Sequence, residues 1–384
     1  MDINQLLILL AKKRGSDLFI TAGRAPSVKI DGVVHPASKE VLSPEQARDV
    51  VYSVMNDKQQ KEFEETHECQ FAIDAKRVSR FRVSAFVQRG NAGMVVRRIE
   101  SQIPTIEELM LPPVLRNLAM TKRGMVIFVG ATGTGKSTSL AAVIGYRNRH
   151  SNGHIVTIED PIEFAHEHDG CIITQREVGV DTESYEVALR NTLRQAPDVI
   201  LIGEIRTRET MELAVVFAET GHLVLATLHA NNANQALDRI INFFPEETRA
   251  QTFMDLSLNL KAIVAQQLAP RMGGKGRRAV VEVLINTPLA SDLIREGEIH
   301  KLKELMKRST EQGMITFDQA LYALYREGEI TYEDALKYAD SANEVRLMIK
   351  LQTEGGLSPE MTEALDQISL VDKDDGRGHG GFVR

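Results

Sequence analysis

Over residues 1–99 the apolar positions change period several times. "INQLLILLAKK" spaces its apolar residues as one face of a helix, so a helix opens the chain. "DLFITAG", "PSVKIDGVV" and "HPAS" then predict short strands broken by Gly and Pro. "SPEQARDVVYSVMNDKQQKEFEE" predicts helices, with Ser43 as N-cap and Pro44 at the first helical position. "FAIDAKRVSRFRVSAFVQRGNAGMVVRRI" alternates as three antiparallel strands do. The sum is a small α/β domain over 1–99. In "ESQIPTIEELMLPPVLRNLAM" two proline stretches and a capping box from Thr105 to Glu108 predict a linker, 100–112, running into a new domain.

From Gly124 the pattern becomes apolar strand, loop, helix, repeated. The strands are "MVIFV", "HIVTI", "CIITQ", "DVILI" and "HLVLATLH". Continuous apolar strands separated by helices require a sheet covered on both faces, which resembles a RecA-like α/β core. After "RRAVVEVLI" the pattern is helical: "PLASDLIREGE", "IHKLKELMKRS", "TFDQALYALYREGE" and "TYEDALKYAD", with "SANE" (Ser341 to Glu344) capping one more short helix. The second domain thus spans 113–350. The end, 351–384, closes on "KDDGRGHGGFVR", has too little apolar surface to fold and reads as a flexible tail.

Composition narrows the class. The 384 residues are 43% hydrophobic and 26% charged, with a formal charge of -7, which argues against a stable nucleic-acid partner. Two cysteines, Cys69 and Cys171, without a CxxC pair exclude a tetracysteine zinc site. No apolar run approaches the ~20 residues that span a bilayer, and the N-terminus lacks the features of a signal peptide. A cytoplasmic protein without a membrane span is expected.

Candidate chemistry starts in the loop between "MVIFV" and "SLAAVIGY". Gly130, Ala131, Thr132, Gly133, Thr134, Gly135, Lys136, Ser137 and Thr138 fit GxxxxGK[ST]. Such glycines turn backbone N–H groups towards phosphates at a helix N-terminus. Lys136 would reach the β- and γ-phosphates of ATP, and the Ser137 hydroxyl would ligate Mg²⁺. Downstream, Val199 to Ile202 form the apolar run of a Walker B strand. Gly203 stands where Asp is usual; Glu204 follows, and strand position and spacing favour it as the metal-linked acid, working through water, over an acid that simply caps a helix. In "TIEDPIEF", Glu159, Asp160 and Glu163 end a strand, where a carboxylate can orient the attacking water. A solvated acidic turn is the competing reading. His229, at the carboxyl end of its strand, suits a γ-phosphate sensor, whereas His222 at the other end could face a neighbouring subunit. Arg80 and Arg82 share a strand face. With Arg97 and Arg98 on the next strand they could form an anion-facing patch, or simply a solvated one.

Taken together these motifs resemble the secretion ATPase superfamily that powers type II secretion and type IV pili. "GATGTGKST" is its Walker A, "TIEDPIEF" its Asp box, "GEIR" its Walker B and "TGHLVLATLH" its His box, in the family's order. The glycine before Glu204 is itself that family's pattern. Within it the chain is most similar to the pilus retraction ATPases of the PilT/PilU group, and its "GATGTGKSTSLAA" wording and extra C-terminal helices resemble the PilU branch. The resemblance implies a PAS-like N-terminal domain, a RecA-like P-loop core with appended helices, and ATP with Mg²⁺. It implies Glu163 as general base, Glu204 as metal-linked acid, His222 and His229 as the His box. It also implies that Arg82, Arg97 and Arg98 reach a nucleotide on the adjacent subunit or across the interdomain cleft. The implied partners are its own copies in a hexamer, a sister PilT-type ATPase and an inner-membrane pilus platform protein. The implied work is pilus retraction and twitching motility at the cytoplasmic face of that membrane. Two departures stand out: Thr207 replaces an acid, and "LASDLIRE" replaces "AIRNLIRE". They keep open a mainly regulatory or structural ring partner; a motor for pilus assembly or type II secretion is a further alternative.

Overall fold

Ile3, Leu6, Leu7 and Leu10 form the buried stripe of the first helix, α1 (Ile3–Lys12), and pack on an antiparallel sheet in the computed structural model of this chain. The structure describes residues 2–353 except 31, 76–78, 101 and 275. The first sheet holds β1 (Asp17–Ile20), β2 (Ser27–Ile30), β3 (Val33–Pro36), β4 (Glu68–Ala75), β5 (Ser79–Gln88) and β6 (Asn91–Arg98), in the order β3-β2-β1-β6-β5-β4. "PSVKIDGVV" is not one strand: the chain reverses at Gly32, φ +82°, and Ile30 pairs with Val33. Two further helices, α2 (Pro44–Tyr52) and α3 (Asp57–Thr66), begin with capping boxes at Ser43 and Asn56. The helices cover one face, where Leu18, Phe81, Val83, Met94 and Val96 are buried. Strand alternation turns Arg80, Arg82 and Arg97 to the other.

Between the sheets, Thr105 and Glu108 exchange the reciprocal capping bonds, 2.8 and 3.1 Å, yet only a single turn follows. Ile106 and Leu111 from this stretch, with Leu115 of α4 (Val114–Ala119), are buried against the second sheet. That sheet has the order β13-β12-β7-β11-β10-β8-β9. Its elements are β7 (Gly124–Val129), α5 (Lys136–His150), β8 (Gly153–Glu159), β9 (Cys171–Glu177), α6 (Tyr185–Thr192), β10 (Val199–Ile202), α7 (Arg208–Glu219) and β11 (Leu223–Leu228). They continue with α8 (Ala233–Asn242), α9 (Arg249–Asn259), β12 (Leu260–Pro270) and β13 (Arg277–Ile285). All neighbours are parallel except β12 and β13. In this sheet the expected strands form and β12 is an addition the sequence pattern did not suggest; in the first sheet "HPAS" is no strand of its own, since His35 and Pro36 end β3.

Every residue of β7 is buried, because its sides face two different cores. Val126 and Phe128 meet Leu115, Leu140 and Ile144; Met125, Ile127 and Val129 meet the cluster under α7, α8 and the C-terminal helices. Those helices are α10 (Pro288–Arg295), α11 (Leu302–Arg308), α12 (Phe317–Arg326), α13 (Tyr332–Lys337) and α14 (Ala342–Thr353). The Ser341 hydroxyl accepts the Glu344 N–H at the start of α14, which is longer than expected and buries Val345 and Ile349 in the main core. The appended helices are therefore part of the second core. The expected flexible tail, 351–384, starts too early, because α14 runs on to Thr353; from 354 it lies outside the described residues. None of the described helices is long and apolar enough to cross a membrane. The parallel strands bring the ends of β7, β8, β10 and β11 to one edge, where ligands bind in open α/β sheets.

Candidate nucleotide site

The loop after β7 is shaped by its glycines and by β12 behind it. Gly130, Gly133 and Gly135 have φ of +154°, +78° and +87°. A Cβ at Gly130 would strike the Gln266 carbonyl oxygen, and one at Gly135 would come within 2.8 Å of Gln266 Nε2. Gln266, buried in β12, donates from Nε2 to Thr134 O at 2.8 Å and accepts from Ser139 Oγ at 2.7 Å. It braces both ends of the loop, and no motif marks it. The Lys136 ammonium is buried and donates to Gly130 O and Ala131 O at 2.8 and 2.9 Å. Burial lowers its pKa, while the Glu204 and Glu163 carboxylates pull it back up.

Glu204 follows β10 directly. His229 Nε2 lies 3.0 Å from its Oε1, and Arg206 donates to its Oε2 at 2.7 Å while also reaching Asp160 at 3.3 Å. Arg206 was not singled out from the sequence, although it is the last residue of "GEIR". The His229 Nδ1 sits 3.3 Å from Gly130 O, so one imidazole bridges the acid and the loop. Gly203 has a steric cause. A Cβ there would approach Tyr185 Oη at 2.8 Å, Glu159 Cα at 3.0 Å and Ile158 O at 3.1 Å. Its carbonyl accepts the Thr227 hydroxyl and its N–H bonds Ile158 O, which clamps β10 between β11 and β8.

The acidic cluster divides by environment. Glu159 is held by Thr157 Oγ1 at 2.6 Å and Gln175 Nε2 at 3.1 Å. Burial pushes its pKa up to about 7 against those hydrogen bonds. Glu163 is exposed and, with Lys136, Ser137, Glu159, Glu204 and His229, lines one cleft of about 280 Å³. Gly133, Gly135, Lys136, Ser137, Thr138 and Glu163 also line an adjoining cleft of about 650 Å³, as do Arg271, Arg277 and Arg278. Ala131 and Thr132 are exposed on the loop, and Thr138 is half-buried in the first turn of α5.

Other candidates lie elsewhere. His222 is at the amino end of β11, with Nδ1 near Phe217 O and Thr220 Oγ1, both at 3.1 Å. The four arginines do not form one patch. Arg82 is registered opposite Arg97, and Arg97 opposite Asp17, whose carboxylate it meets at 2.8 Å, offsetting the like-charge pair. Arg98, opposite Phe81, faces the other way and binds Glu100 and Gly15 O. Arg80 reaches Asp181 at 3.7 Å, and Arg82 lies close enough to Glu177 to stabilise its charge. Within one chain these four are engaged away from the loop.

The residues at the cleft fit a nucleoside triphosphate with Mg²⁺. Side-chain-free positions let backbone approach phosphate, a buried ammonium stands beside them, and a hydroxyl and a carboxylate converge nearby. Among the described residues no group of three His, Cys, Asp or Glu could hold a metal unaided.

Comparison with known proteins agrees with this geometry. The model of the type II/IV secretion system protein family matches residues 1–337. The type IV pilus ATPase PilU of Pseudomonas aeruginosa is 68% identical, covering 94% of this chain and 98% of its own. PilT of the same organism, described as a type IV pilus retraction ATPase, is 43% identical over 88% of this chain and 98% of its own. The crystal structure of the pilus retraction motor PilT with bound ADP superposes with a TM-score of 0.84 at 39% identity, covering 90% of this chain and 99% of that one. The chain belongs to the type II/IV secretion system protein family, as a homologue of its PilT/PilU ATPases.

Proposed function

We propose that this chain is an ATP-hydrolysing motor of type IV pilus retraction and twitching motility. It works as a hexamer beside a sister PilT-type ATPase. The observation that carries the reading is the meeting of Lys136, Ser137, Glu163, Glu204 and His229 at one cleft, in a chain 68% identical to a type IV pilus ATPase.

Each side chain has a task that its surroundings suit. Backbone N–H groups of residues 130–138 and the Lys136 ammonium neutralise the phosphates. Ser137 and, through water, Glu204 would hold Mg²⁺, which when bound offsets charge on the β- and γ-phosphoryl oxygens. Arg206 and His229 fix the Glu204 carboxylate at 2.7 and 3.0 Å, so it needs no reorganisation as charge develops. Glu163, exposed at the mouth of the cleft, orients the attacking water and takes its proton. His229, touching both Glu204 and Gly130 O, senses the state of the loop.

The N-terminal domain, 1–99, has a PAS-like form, and 100–112 links it to the ATPase domain, which runs from 113 to the end of α14 at Thr353. Arg97, the most exposed of the three candidate arginines, reaches a nucleotide held by the adjacent subunit, with Arg82 opposite it on β5; Arg98 faces the other side of the sheet and takes no part in that contact. Closure of the two domains upon ATP and their release with ADP would turn an inner-membrane platform protein from its cytoplasmic side. Deletion of the gene tests the reading: abundant surface pili with impaired twitching are expected, whereas bald cells would mean an assembly motor. Unchanged piliation and motility, with a sister ATPase intact, would reduce this chain to a dispensable ring partner.

A further inference from the structure

The segment carrying Glu163 is held on two flanks, and both holds lead to the first sheet. On one flank the Ala165 N–H donates to Glu100 O at 3.1 Å, and Glu100 and Phe164 form an isolated bridge. Glu100 stands just past β6 and is the residue that Arg98 grips at 2.7 Å. On the other flank the Ile162 N–H, one residue before Glu163, donates to Glu177 Oε2 at 3.3 Å. Glu177 ends β9, level with Glu159, and is only 3% exposed. A carboxylate so buried needs counter-charge. The charges of Arg82 and Arg80 on β5 oppose the upward push of burial on its pKa. Arg80 also pairs with Asp181, whose Oδ2 accepts the Glu177 N–H at 2.9 Å, closing the turn after β9.

We propose that Glu177 is a positioning residue for Glu163, tied to Arg80 of the same chain through Asp181, so that the N-terminal sheet sets where the water-activating carboxylate stands. Glu177 touches no reacting atom; it fixes the main chain at Ile162, and the adjacent residue inherits that position. A shift of the first sheet relative to the second would pull on both holds together. The site would then be competent in one arrangement of the two sheets and misaligned in others. This inference rests on the hydrolytic reading above and adds a route by which movement of one domain governs chemistry in the other.

The test uses the full-length assembly, read by steady-state ATP hydrolysis and by amide hydrogen exchange over residues 160–166. Hydrolysis by the unmodified protein checks the underlying reading first; exchange checks the hold on the loop without relying on turnover. Glu177→Ala removes acceptor and charge, whereas Glu177→Gln keeps an acceptor for Ile162. A misplacement near 1 Å costs on the order of 100-fold in rate, so Glu177→Ala is expected to lower kcat by about 10- to 100-fold with KM for ATP within about twofold. Its loop amides exchange faster, and Glu177→Gln restores most of the protection. Arg80→Gln lowers kcat in the unmodified background and adds little in Glu177→Gln, since the two side chains act as one unit. Unchanged exchange and kcat in Glu177→Ala would overturn the proposal. So would a rise in KM alone, or independent multiplication of the Arg80 and Glu177 effects. If Glu177→Ala does not fold, Glu177→Gln and the Arg80 cycle decide the matter.

Discussion

Gly203→Ala asks whether the glycine before Glu204 is there for packing. The new Cβ would lie 3.0 Å from Glu159 Cα and 3.1 Å from Ile158 O, both main-chain atoms of β8, and 2.8 Å from Tyr185 Oη. The tyrosine can move; β8 cannot, because it is hydrogen-bonded between β10 and β9. Inserting a methyl group into such a site costs about 1–3 kcal/mol. At about 2–4 °C per kcal/mol for a domain of 150–250 residues, the melting midpoint should fall by several degrees. The strain also separates Glu204 from the β8 end that leads to Glu163, so hydrolysis should fall more than stability does. Differential scanning fluorimetry and a coupled ATPase assay on the purified protein measure both. Tyr185→Phe in the same chain removes only the movable contact and should recover only a small part of the loss. An unchanged midpoint and turnover in Gly203→Ala would refute the steric account, and full recovery by Tyr185→Phe would move the constraint from β8 to α6.

Lys136→Ala should abolish hydrolysis and weaken nucleotide binding, since a charge-assisted contact to phosphate is lost; near-normal turnover would make the loop structural. Glu163→Gln should keep ATP bound and stop hydrolysis, whereas Glu204→Ala should also raise the Mg²⁺ requirement in a metal titration. Mixed assemblies of Arg97→Ala and Lys136→Ala protomers should regain part of their activity if Arg97 acts across a subunit boundary. No recovery despite confirmed subunit exchange would exclude that geometry. Buried Glu282 gives a pH prediction: burial raises its carboxyl from 4.5 to about 7, against hydrogen bonds from Ala233 N–H and Phe317 N–H. A raised acid pKa favours the folded state at low pH, and that contribution is lost as pH rises from 4.5 through about 7. Glu282→Gln should therefore gain thermal stability relative to the unmodified protein across that window; parallel curves would contradict it.

The phosphate loop and the strand ends around it were legible because their chemistry is local: glycine spacing, apolar runs and an acid directly after a strand. What escaped is non-local. β12 was hidden because Gln266 and Gln267 interrupt its apolar run and α9 precedes it with helical spacing. Gln266 acts on Thr134 and Ser139, far away in sequence, so no motif could contain it. The capping box at Thr105 formed, but Leu111 and Leu115 are drawn into the second core and the proline pair follows, so no helix grew from it. Alternation correctly aligned Arg80 with Arg82. It also separates Arg97 from Arg98, a consequence of the same two-residue period that adjacency in "RRI" obscured.

Gln266 bears on protein engineering. Gly130 is cut to the main-chain carbonyl of Gln266 and Gly135 to its side-chain amide, on a strand that the chain reaches only after completing most of the sheet. A strand–loop–helix cassette of residues 124–150 transplanted into another scaffold would carry the glycines without the surface they were shaped against. Such a graft should bind phosphate weakly until its host supplies a buried amide at the matching position of the neighbouring strand. Chimaeras between sister motors should likewise exchange the loop and β12 as a pair, with crossover points before β7 and after β13.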